Sequence, residues 1–411
     1  MDKYNYLIVG GGAAGVTAAE TIRAKDANAS IAVVNDEPEA LYSRVMLSKP
    51  NFFLGKIPFD QVFLKGKEWY DQNHIKFLGG HKATGLDAGL KTLSLENGDK
   101  LEYEKLLLAT GASTRKWTVP GAEKKGIYYL RTLDDGKRIM EGIKTAKHAV
   151  TIGGGFISFE MADLLRLANI EVTMLLRENY FWEPILDAGQ GKMLEDALTK
   201  GGVKVLKNVE VAEVQGGDSV QAVILKDGTK IDCDMVIAGI GVFCDLDWVK
   251  PAGLQVNRGI LATEFMETNL PNVWTAGDVA EYFDPLLEER TQMGNWVNAR
   301  EQGRVAALNM MGNREPFKFV SFYTTQGFGV SIAMVGDVRP GPDRIIIPRG
   351  SPEVNSYARV ILVGPEVVGA TMINRTKELT DIAKLIDSNV NVSDKYKELT
   401  DPNFDLKQLF S

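Results

Sequence analysis

The sequence predicts an α/β protein: two doubly wound parallel-sheet domains, one inserted in the other, with a smaller α+β domain at the C-terminal end. Three observations predict it. The chain opens on an apolar run, Tyr6-Leu7-Ile8-Val9, followed by Gly10-Gly11-Gly12-Ala13-Ala14-Gly15 and the alanine-rich Val16-Thr17-Ala18-Ala19-Glu20. A short continuous apolar run reads as a strand buried on both faces, and the run after the glycines reads as a helix. The same order returns at Ala149-Val150-Thr151-Ile152, Gly153-Gly154-Gly155-Phe156-Ile157-Ser158 and a helix through Leu167. From about Phe319 the character changes to short β-branched strands and then polar helical sequence.

In the first repeat Gly10, Gly12 and Gly15 supply the G-x-G-x-x-G spacing. Gly10 allows the tight turn, Gly12 lets a pyrophosphate approach the backbone, and Gly15 lets the helix pack on its strand. The N–H groups at the helix start then face the phosphates. The next strand, Ile31-Ala32-Val33-Val34, runs into Asn35-Asp36-Glu37, so Asp36 or Glu37 stands where an acid would hold a ribose hydroxyl. In the second repeat Ser158 takes the place of the third glycine and is small enough for the same close packing. Its following strand, Val172 to Leu176, ends in Arg177-Glu178. Both repeats read as Rossmann-like dinucleotide-binding domains. Two of them in one chain imply two nucleotide cofactors, and hydride transfer is the obvious chemistry between two dinucleotides.

The remaining elements follow in order. Leu41 to Pro50 reads as a loop or short helix carrying Arg44 and Lys49, and Pro50 and Pro58 bracket a turn-rich passage. Val62–Tyr70 is predicted as a helix. Strands are predicted at Ile75–Leu78, Thr92–Leu95 and Leu106–Ala109, with a hairpin turn at Asn97-Gly98. The last of these runs into Thr110-Gly111-Ala112. Strands near Val209–Val214, Gln221–Leu225 and Met235–Ile240 follow, with a turn at Asp227-Gly228. Asn272 to Val279 is a further apolar strand opening onto Gly277-Asp278, and Asn295–Met311 is a helix. The last domain carries strands at Val330–Val335, Arg344–Ile347 and Val360–Val363. The expected boundaries are 1–118 and 247–318 for the first dinucleotide domain, 119–246 for the inserted one, and 319–411 for the C-terminal domain.

Composition narrows the function classes. The chain has 411 residues, too long for one ordinary core, and is 45% hydrophobic and 25% charged, as a globular protein is. A net charge of −7, with no basic block to offset it, argues against a general nucleic-acid binder. No apolar run reaches membrane-spanning length, and the first strand begins almost at Met1, so a cytoplasmic protein is expected. The cysteines, Cys233 and Cys244, form neither a C-x-x-C pair nor a disulfide framework, and His74, His81 and His148 show no ligand spacing. No metal site is expected. Cys233 reads as core filling, and Cys244 as a loop residue.

These motifs resemble the two-dinucleotide flavoprotein family, the pyridine nucleotide–disulfide oxidoreductase fold, over roughly the first 320 residues. The resemblance implies an FAD site at Gly10, Gly12, Ala13, Ala14 and Gly15, with Asp36 and Glu37 nearby. Ala109, Thr110 and Gly111 match the family's A-T-G segment. Gly277 and Asp278 match its late Gly-Asp, whose acid holds the ribityl chain and phosphate region of FAD. Arg44 and Trp296 are carried over as FAD residues too. Gly153, Gly155, Phe156, Ile157, Glu160, Arg177 and Gly241 are implied for NAD(P). Within the family, Tyr42-Ser43-Arg44 and Leu47-Ser48-Lys49 resemble the ferredoxin- and rubredoxin-reductase branch and the flavoprotein part of nitrite reductases.

The disulfide reductases of that family carry a cysteine pair after the first βαβ unit, and its peroxidase branch carries a single cysteine there. This chain has neither, so no thiolate relay is available. The resemblance makes Lys49 and Glu160 the catalytic pair, with Lys49 reaching the isoalloxazine near N5. Where the ferredoxin reductases show a Trp-Ser element over the flavin, this chain reads Phe322-Tyr323-Thr324-Thr325, which makes Tyr323 or Phe322 the candidate cover. The implied activity passes hydride from NAD(P)H to FAD and then electrons to a protein carrier, an iron–sulfur protein of ferredoxin or rubredoxin type. An NAD(P)H oxidase or quinone reductase is the alternative enzyme. An NAD(H)-sensing redox subunit resembling apoptosis-inducing-factor-like proteins is the alternative of another class. Arg177 could receive a 2′-phosphate, yet Glu178 and Glu183 lie close, so NADH and NADPH both stay open, as does a homodimer. Arg339, Arg344, Arg349 and Arg359 form either a solvated face or a docking patch for an acidic carrier.

Overall fold

The computed structural model describes residues 2–410 and divides into two compact units. The first comprises Met1–Ser43, Asp60–Ser113 and Val242–Ser321; the second comprises Arg44–Phe59, Thr114–Gly241 and Phe322–Ser411.

In the first unit the opening run forms the strand Asp2–Val9, which pairs in parallel with Ile31–Asn35 on one side and Lys100–Leu108 on the other. The sheet continues outward through Ile75–Gly79, and Val273–Thr275 adds in parallel to Lys100–Leu108. Thr92–Leu95 and Ala83–Asp87 complete it in antiparallel. Alternate residues face opposite ways along a strand, so Tyr6 and Ile8 enter one core with Val16, Ile22 and Val305, while Leu7 and Val9 enter another with Leu106 and Leu254. A parallel sheet covered on both sides needs apolar residues at both parities, which is why the run reads continuous rather than alternating.

The register matters for the site. Val9 pairs with both Val34 and Leu108, and Leu108 pairs with Thr275. The residues that follow these four, Gly10, Asn35, Ala109 and Ala276, therefore lie along one carboxyl edge, where ligands of open α/β sheets bind.

The second unit repeats this logic. Val203–Leu206, Glu171–Leu175, His148–Ile152, Met235–Ala238 and Ile127–Tyr128 form an all-parallel sheet in that order, with Leu175, Ile152 and Ala238 level at its carboxyl edge. The C-terminal part is a five-stranded antiparallel sheet in the order Phe322–Gly327, Val330–Gly336, Glu366–Ile373, Ser356–Val363, Arg344–Ser351. The helix Leu379–Asp387 packs against its central strands through Ile382, Leu385 and Ile386. The α/β class with a C-terminal sheet domain is thus as expected.

Local expectations fail where glycine intervenes. Over Val62–Tyr70 there is no continuous helix: a 3-10 turn at Phe59–Val62 precedes a helix that begins only at Lys67. Gly66 is extended there and serves as the helix cap, so the two pieces cannot merge. The strands Ala83–Asp87 and Glu366–Ile373 were not expected from the pattern, and each carries an interior glycine. At Gly369 a Cβ would stand 2.1 Å from the Asp337 carbonyl oxygen, so the glycine marks a close backbone approach inside a strand.

Candidate functional site

The first cradle is built by three glycines doing different work. Gly10 has φ +117, and a Cβ on it would stand 2.1 Å from the Ala109 carbonyl oxygen, so only glycine lets the turn pass the A-T-G segment. A Cβ on Gly15 would stand 1.9 Å from the Gly10 carbonyl oxygen, which fixes how closely the helix Ala13–Lys25 sits on its turn. A Cβ on Gly12 would meet nothing within 4 Å, so that backbone faces open space. Gly12 is also the helix cap, with no side-chain acceptor, and the first turn holds no acid. The opening N–H groups are thus left for an anion. Three other helices begin differently: Thr132, Asp187 and Asn295 each accept a hydrogen bond from a backbone N–H of the first turn.

Around this edge the sequence-derived residues fall into place unevenly. Glu37 is half-buried and accepts a 2.7 Å hydrogen bond from the Tyr42 hydroxyl, whereas Asp36 is exposed and its carboxylate turns back on the Glu37 N–H. Asn35 escaped the sequence reading. It is buried, its Oδ1 accepts from Gly11 at 2.9 Å, and its amide donates to the Glu37 carbonyl at 2.8 Å, so it ties the glycine turn to the acid. An amide closing an otherwise apolar strand is the signal that could have revealed it. Gly277 has φ +82 and its N–H donates to Gln302 Oε1 at 2.7 Å. Beside Gln302, a Cβ on Gly303 would stand 2.1 Å from the Ala14 carbonyl oxygen, so the helix Trp296–Met310 meets the glycine-capped helix at that residue. The Asp278 carbonyl accepts from Gln292 at 2.8 Å, and Trp296 is half-buried at its helix start. Thr110 is exposed and Gly111 has φ +68.

The second cradle has the same plan with one exchange. Gly153 has φ +101, and Gly155 is an open, glycine-capped start to the helix Phe156–Leu167, again without an acid in the first turn. Ser158, in the third-glycine position, is buried and donates to the Ile152 carbonyl at 3.0 Å. A Cβ on Gly239 would stand 2.5 Å from that hydroxyl, so Gly239 makes room for the serine. Gly241 has φ +93 and its carbonyl accepts from Arg115 at 3.0 Å. Phe156 lies between the rings of Trp182 and Tyr323, and Ile157 is half-buried. Arg177 points to solvent, its side chain 79% exposed, with Nε donating to Glu178 Oε1 at 2.7 Å. The other Glu178 oxygen is buried and has no partner.

Lys49 and Glu160, 111 positions apart, meet in the second unit. The ammonium lies 2.5 Å from Glu160 Oε1, with the Lys49 side chain 29% exposed and the Glu160 side chain 2%. Pro50 forces the residue before it to be extended, and Lys49 sits there with ψ 128, capping the turn Pro50–Phe53. Arg44 donates to the Arg131 carbonyl at 2.7 Å.

One sequence idea changes, and the reading of Cys233 as core filling holds. The four C-terminal arginines are spent internally, so they do not make a solvated docking face: Arg339 and Arg344 pair with buried Asp337, Arg349 with Glu378, and Arg359 with Asp187. Cys233 packs with Val150, Val223 and Val236, and burial, reinforced by Asp234 and Asp232, pushes its thiol up to about 12. It is not a thiolate near neutral pH. Cys244 donates to the Asp278 carbonyl.

Two parallel sheets, each ending in a glycine-capped helix start, define a protein that handles two dinucleotides. The pyridine nucleotide-disulphide oxidoreductase family model matches residues 4–303, and a reductase C-terminal model matches 322–410. The chain is 30% identical to the ferredoxin–NAD(+) reductase component of the biphenyl dioxygenase system of Paraburkholderia xenovorans, over 98% of this chain and 97% of that one. It is 30% identical to putidaredoxin reductase of Pseudomonas putida, over 99% and 97%. It superposes on putidaredoxin reductase in its covalent complex with putidaredoxin with a TM-score of 0.93, at 28% identity, covering 100% and 98%. The chain belongs to the pyridine nucleotide-disulphide oxidoreductase family and is an FAD-dependent oxidoreductase with NAD(P)H as substrate.

The residues fit that cofactor: an open Gly12 backbone and an uncapped helix start for the pyrophosphate, and an oriented acid, Glu37, for a ribose. Gly10→Ala is accordingly expected to yield protein with little or no retained FAD, read as the 450 to 280 nm absorbance ratio. Wild-type FAD content would contradict the close approach at Ala109.

Proposed function

We propose that this protein oxidises NADH and passes the electrons through FAD to an iron–sulfur carrier protein. FAD, when bound, accepts two electrons as hydride and releases them singly. The observation that carries the reading is the absence of a cysteine pair. Cys233 is a buried thiol with a raised pKa, and Cys244 is a single, partly buried cysteine of another segment, so a disulfide substrate has no dithiol relay. The relatives that match over nearly their whole length are named as reductases of ferredoxin-type carriers.

In this reading Gly10–Gly15, Asn35 and Glu37 hold the adenine half of FAD, Ala109–Gly111 lie against it, and Asp278 holds its ribityl and phosphate region. Gly153, Gly155 and the start of helix Phe156–Leu167 hold the nicotinamide nucleotide. The Lys49 ammonium supplies positive charge to the reduced flavin, and Glu160 keeps that ammonium in place. The functional domains are proposed as 1–118 with 247–318 for FAD, 119–246 for NADH and 319–411 for the carrier side. No described helix is long and apolar enough to cross a membrane, and the cytoplasm is the proposed location.

Glu178 is the reason for NADH over NADPH. Its buried, unpartnered oxygen is an acceptor suited to a ribose hydroxyl, and its negative charge would repel a 2′-phosphate, while Arg177 is turned to solvent and held by the same carboxylate. Glu178→Gln is expected to raise the KM for NADH about tenfold with kcat little changed, the worth of one charged hydrogen bond. An unchanged KM would remove Glu178 from coenzyme choice.

The activity itself is tested by oxygen uptake with NADH, before and after adding a ferredoxin or rubredoxin together with cytochrome c. Slow uptake and a carrier-dependent cytochrome c reduction at least about tenfold faster are expected, since flavin-to-carrier transfer is then the intended exit. Fast uptake that no carrier alters would replace this reading with an NAD(P)H oxidase.

A further inference from the structure

The strand Phe322–Gly327 and the helix Phe156–Leu167 run alongside each other in matched steps. Tyr323 meets Phe156, Thr325 meets Glu160, and at Gly327 a Cβ would meet Phe159 at 2.9 Å and Asp163 at 3.4 Å. Four helix residues rise about 6 Å and two strand residues about 6.6 Å, so alternate strand positions stay opposite successive helix turns. The burial pattern agrees, with Thr325 and Gly327 buried and Thr324 and Gln326 exposed. The Phe328 N–H closes the run by donating to Asp163 Oδ1 at 3.0 Å.

This register places one hydroxyl at the ion pair. Thr325 Oγ1 donates to Glu160 Oε1, the same oxygen that Lys49 holds, and accepts a long 3.5 Å contact from the Lys49 ammonium. The three groups form a triangle in which each touches the other two, and they come from three separate segments of the second unit. Thr325 is only 6% exposed, so water cannot readily replace its hydroxyl. Tyr323 flanks the same carboxylate, and burial, then Glu160, raises its phenol, which keeps it neutral. Asp163 lies one helical turn from Glu160, and its carboxyl is also raised, by burial first, against the opposing Phe328 N–H. Lys49 is the cation paired with Glu160 on this face, and the direction of its ammonium depends on how the Glu160 carboxylate is held.

We propose that Thr325 is a positioning residue that fixes the Lys49–Glu160 pair, so that the C-terminal sheet contributes to the redox site as well as to the carrier side. The proposal rests on the reading of that pair as serving the flavin. Without the Thr325 hydroxyl, Glu160 keeps Lys49 as a donor but loses the contact that holds its carboxylate in one rotamer, and the partly exposed lysine can swing outward. Valine copies the shape of threonine without its hydroxyl, and serine restores the hydroxyl.

The test uses the FAD-loaded enzyme and four variants: Thr325→Val, Thr325→Ser, Lys49→Met and the double Thr325→Val/Lys49→Met. Stopped-flow flavin reduction by NADH and the spectroelectrochemical midpoint potential are measured for each. Thr325→Val is expected to slow reduction about tenfold and to lower the potential by about 30 mV, the tenfold equivalent for a two-electron couple. Thr325→Ser is expected to return both to within about twofold of wild type, and Thr325→Val is expected to add little once Lys49 is methionine, because groups acting as one unit are not additive. If Lys49→Met is impaired but Thr325→Val matches wild type in rate and potential, the positioning role is overturned alone. The same holds if Thr325→Val costs as much in the Lys49→Met background, which would mark a packing effect. If Lys49→Met itself matches wild type, the reading of the pair falls first and the proposal with it.

Discussion

Replacing Lys49 by methionine is expected to leave FAD bound and to slow flavin reduction by NADH about a hundredfold, a transition-state cost near 2.7 kcal/mol. The argument is electrostatic. With FAD bound, Lys49 would supply a fixed ammonium in a water-poor setting, which would stabilise the negative charge of a reduced flavin better than a solvated one. Lys49 is anchored by a carboxylate that is itself 2% exposed, so its charge is pre-set rather than recruited. Methionine keeps the length and apolar stem but leaves Glu160 buried with Thr325 as donor and no cation. The single variant should therefore also lose stability, because an unpaired buried carboxylate is costly. Lys49→Met/Glu160→Gln should recover that stability without recovering the rate. Stopped-flow absorbance at 450 nm and a thermal melt separate the two effects. A single variant reduced at the wild-type rate would take Lys49 out of the chemistry.

Features encoded within a dozen residues were legible in the sequence. The two glycine cradles declare themselves because turn, backbone approach and helix packing each demand a small residue at a fixed local spacing, and Gly10, Gly12, Gly15, Gly153 and Gly155 occupy those places. The Ser158 exchange is intelligible only in three dimensions, since the space for its hydroxyl comes from Gly239, 81 positions later. Lys49 and Glu160 were nameable through family resemblance alone, because no periodicity links residues on a turn and on a helix of a different sheet. Thr325 had no signal beyond its place in a departure from the family pattern. The charges of the C-terminal domain misled for a related reason. Sequence shows cations without showing what they face, and Asp337, Asp187 and Glu378 absorb all four arginines. Gly66 and Gly369 show the converse, where a single residue without a side chain delays the start of a helix or permits a strand against the surrounding pattern.

Arg349→Met is expected to destabilise the C-terminal sheet by about 3–5 kcal/mol, the cost of removing one partner of a buried ion pair. Arg349 is 1% exposed, among the largest fully buried side chains in the protein. Its Nε donates to both Glu378 oxygens at 3.0 Å. Its other two nitrogens reach four backbone carbonyls of the last segment: Glu398 at 3.3 Å, Leu399 at 3.2 Å, Asp401, and Phe404 at 2.6 Å. The helix Tyr396–Thr400 that carries the first of these is too short to be stable on propensity alone, so its position depends on this one guanidinium and on Leu399. Methionine fills the volume but strands four acceptors away from water, and Glu378 keeps Arg375 alone. Lysine is no substitute, because a point charge cannot span a planar fork of five donors. The readout is amide hydrogen exchange: residues 396–408 should lose protection in Arg349→Met before the sheet does, and Arg349→Lys should resemble Met. Protection unchanged across that segment would mean that Leu399 and Leu406, both buried, hold the tail by hydrophobic packing and that the guanidinium merely accompanies them.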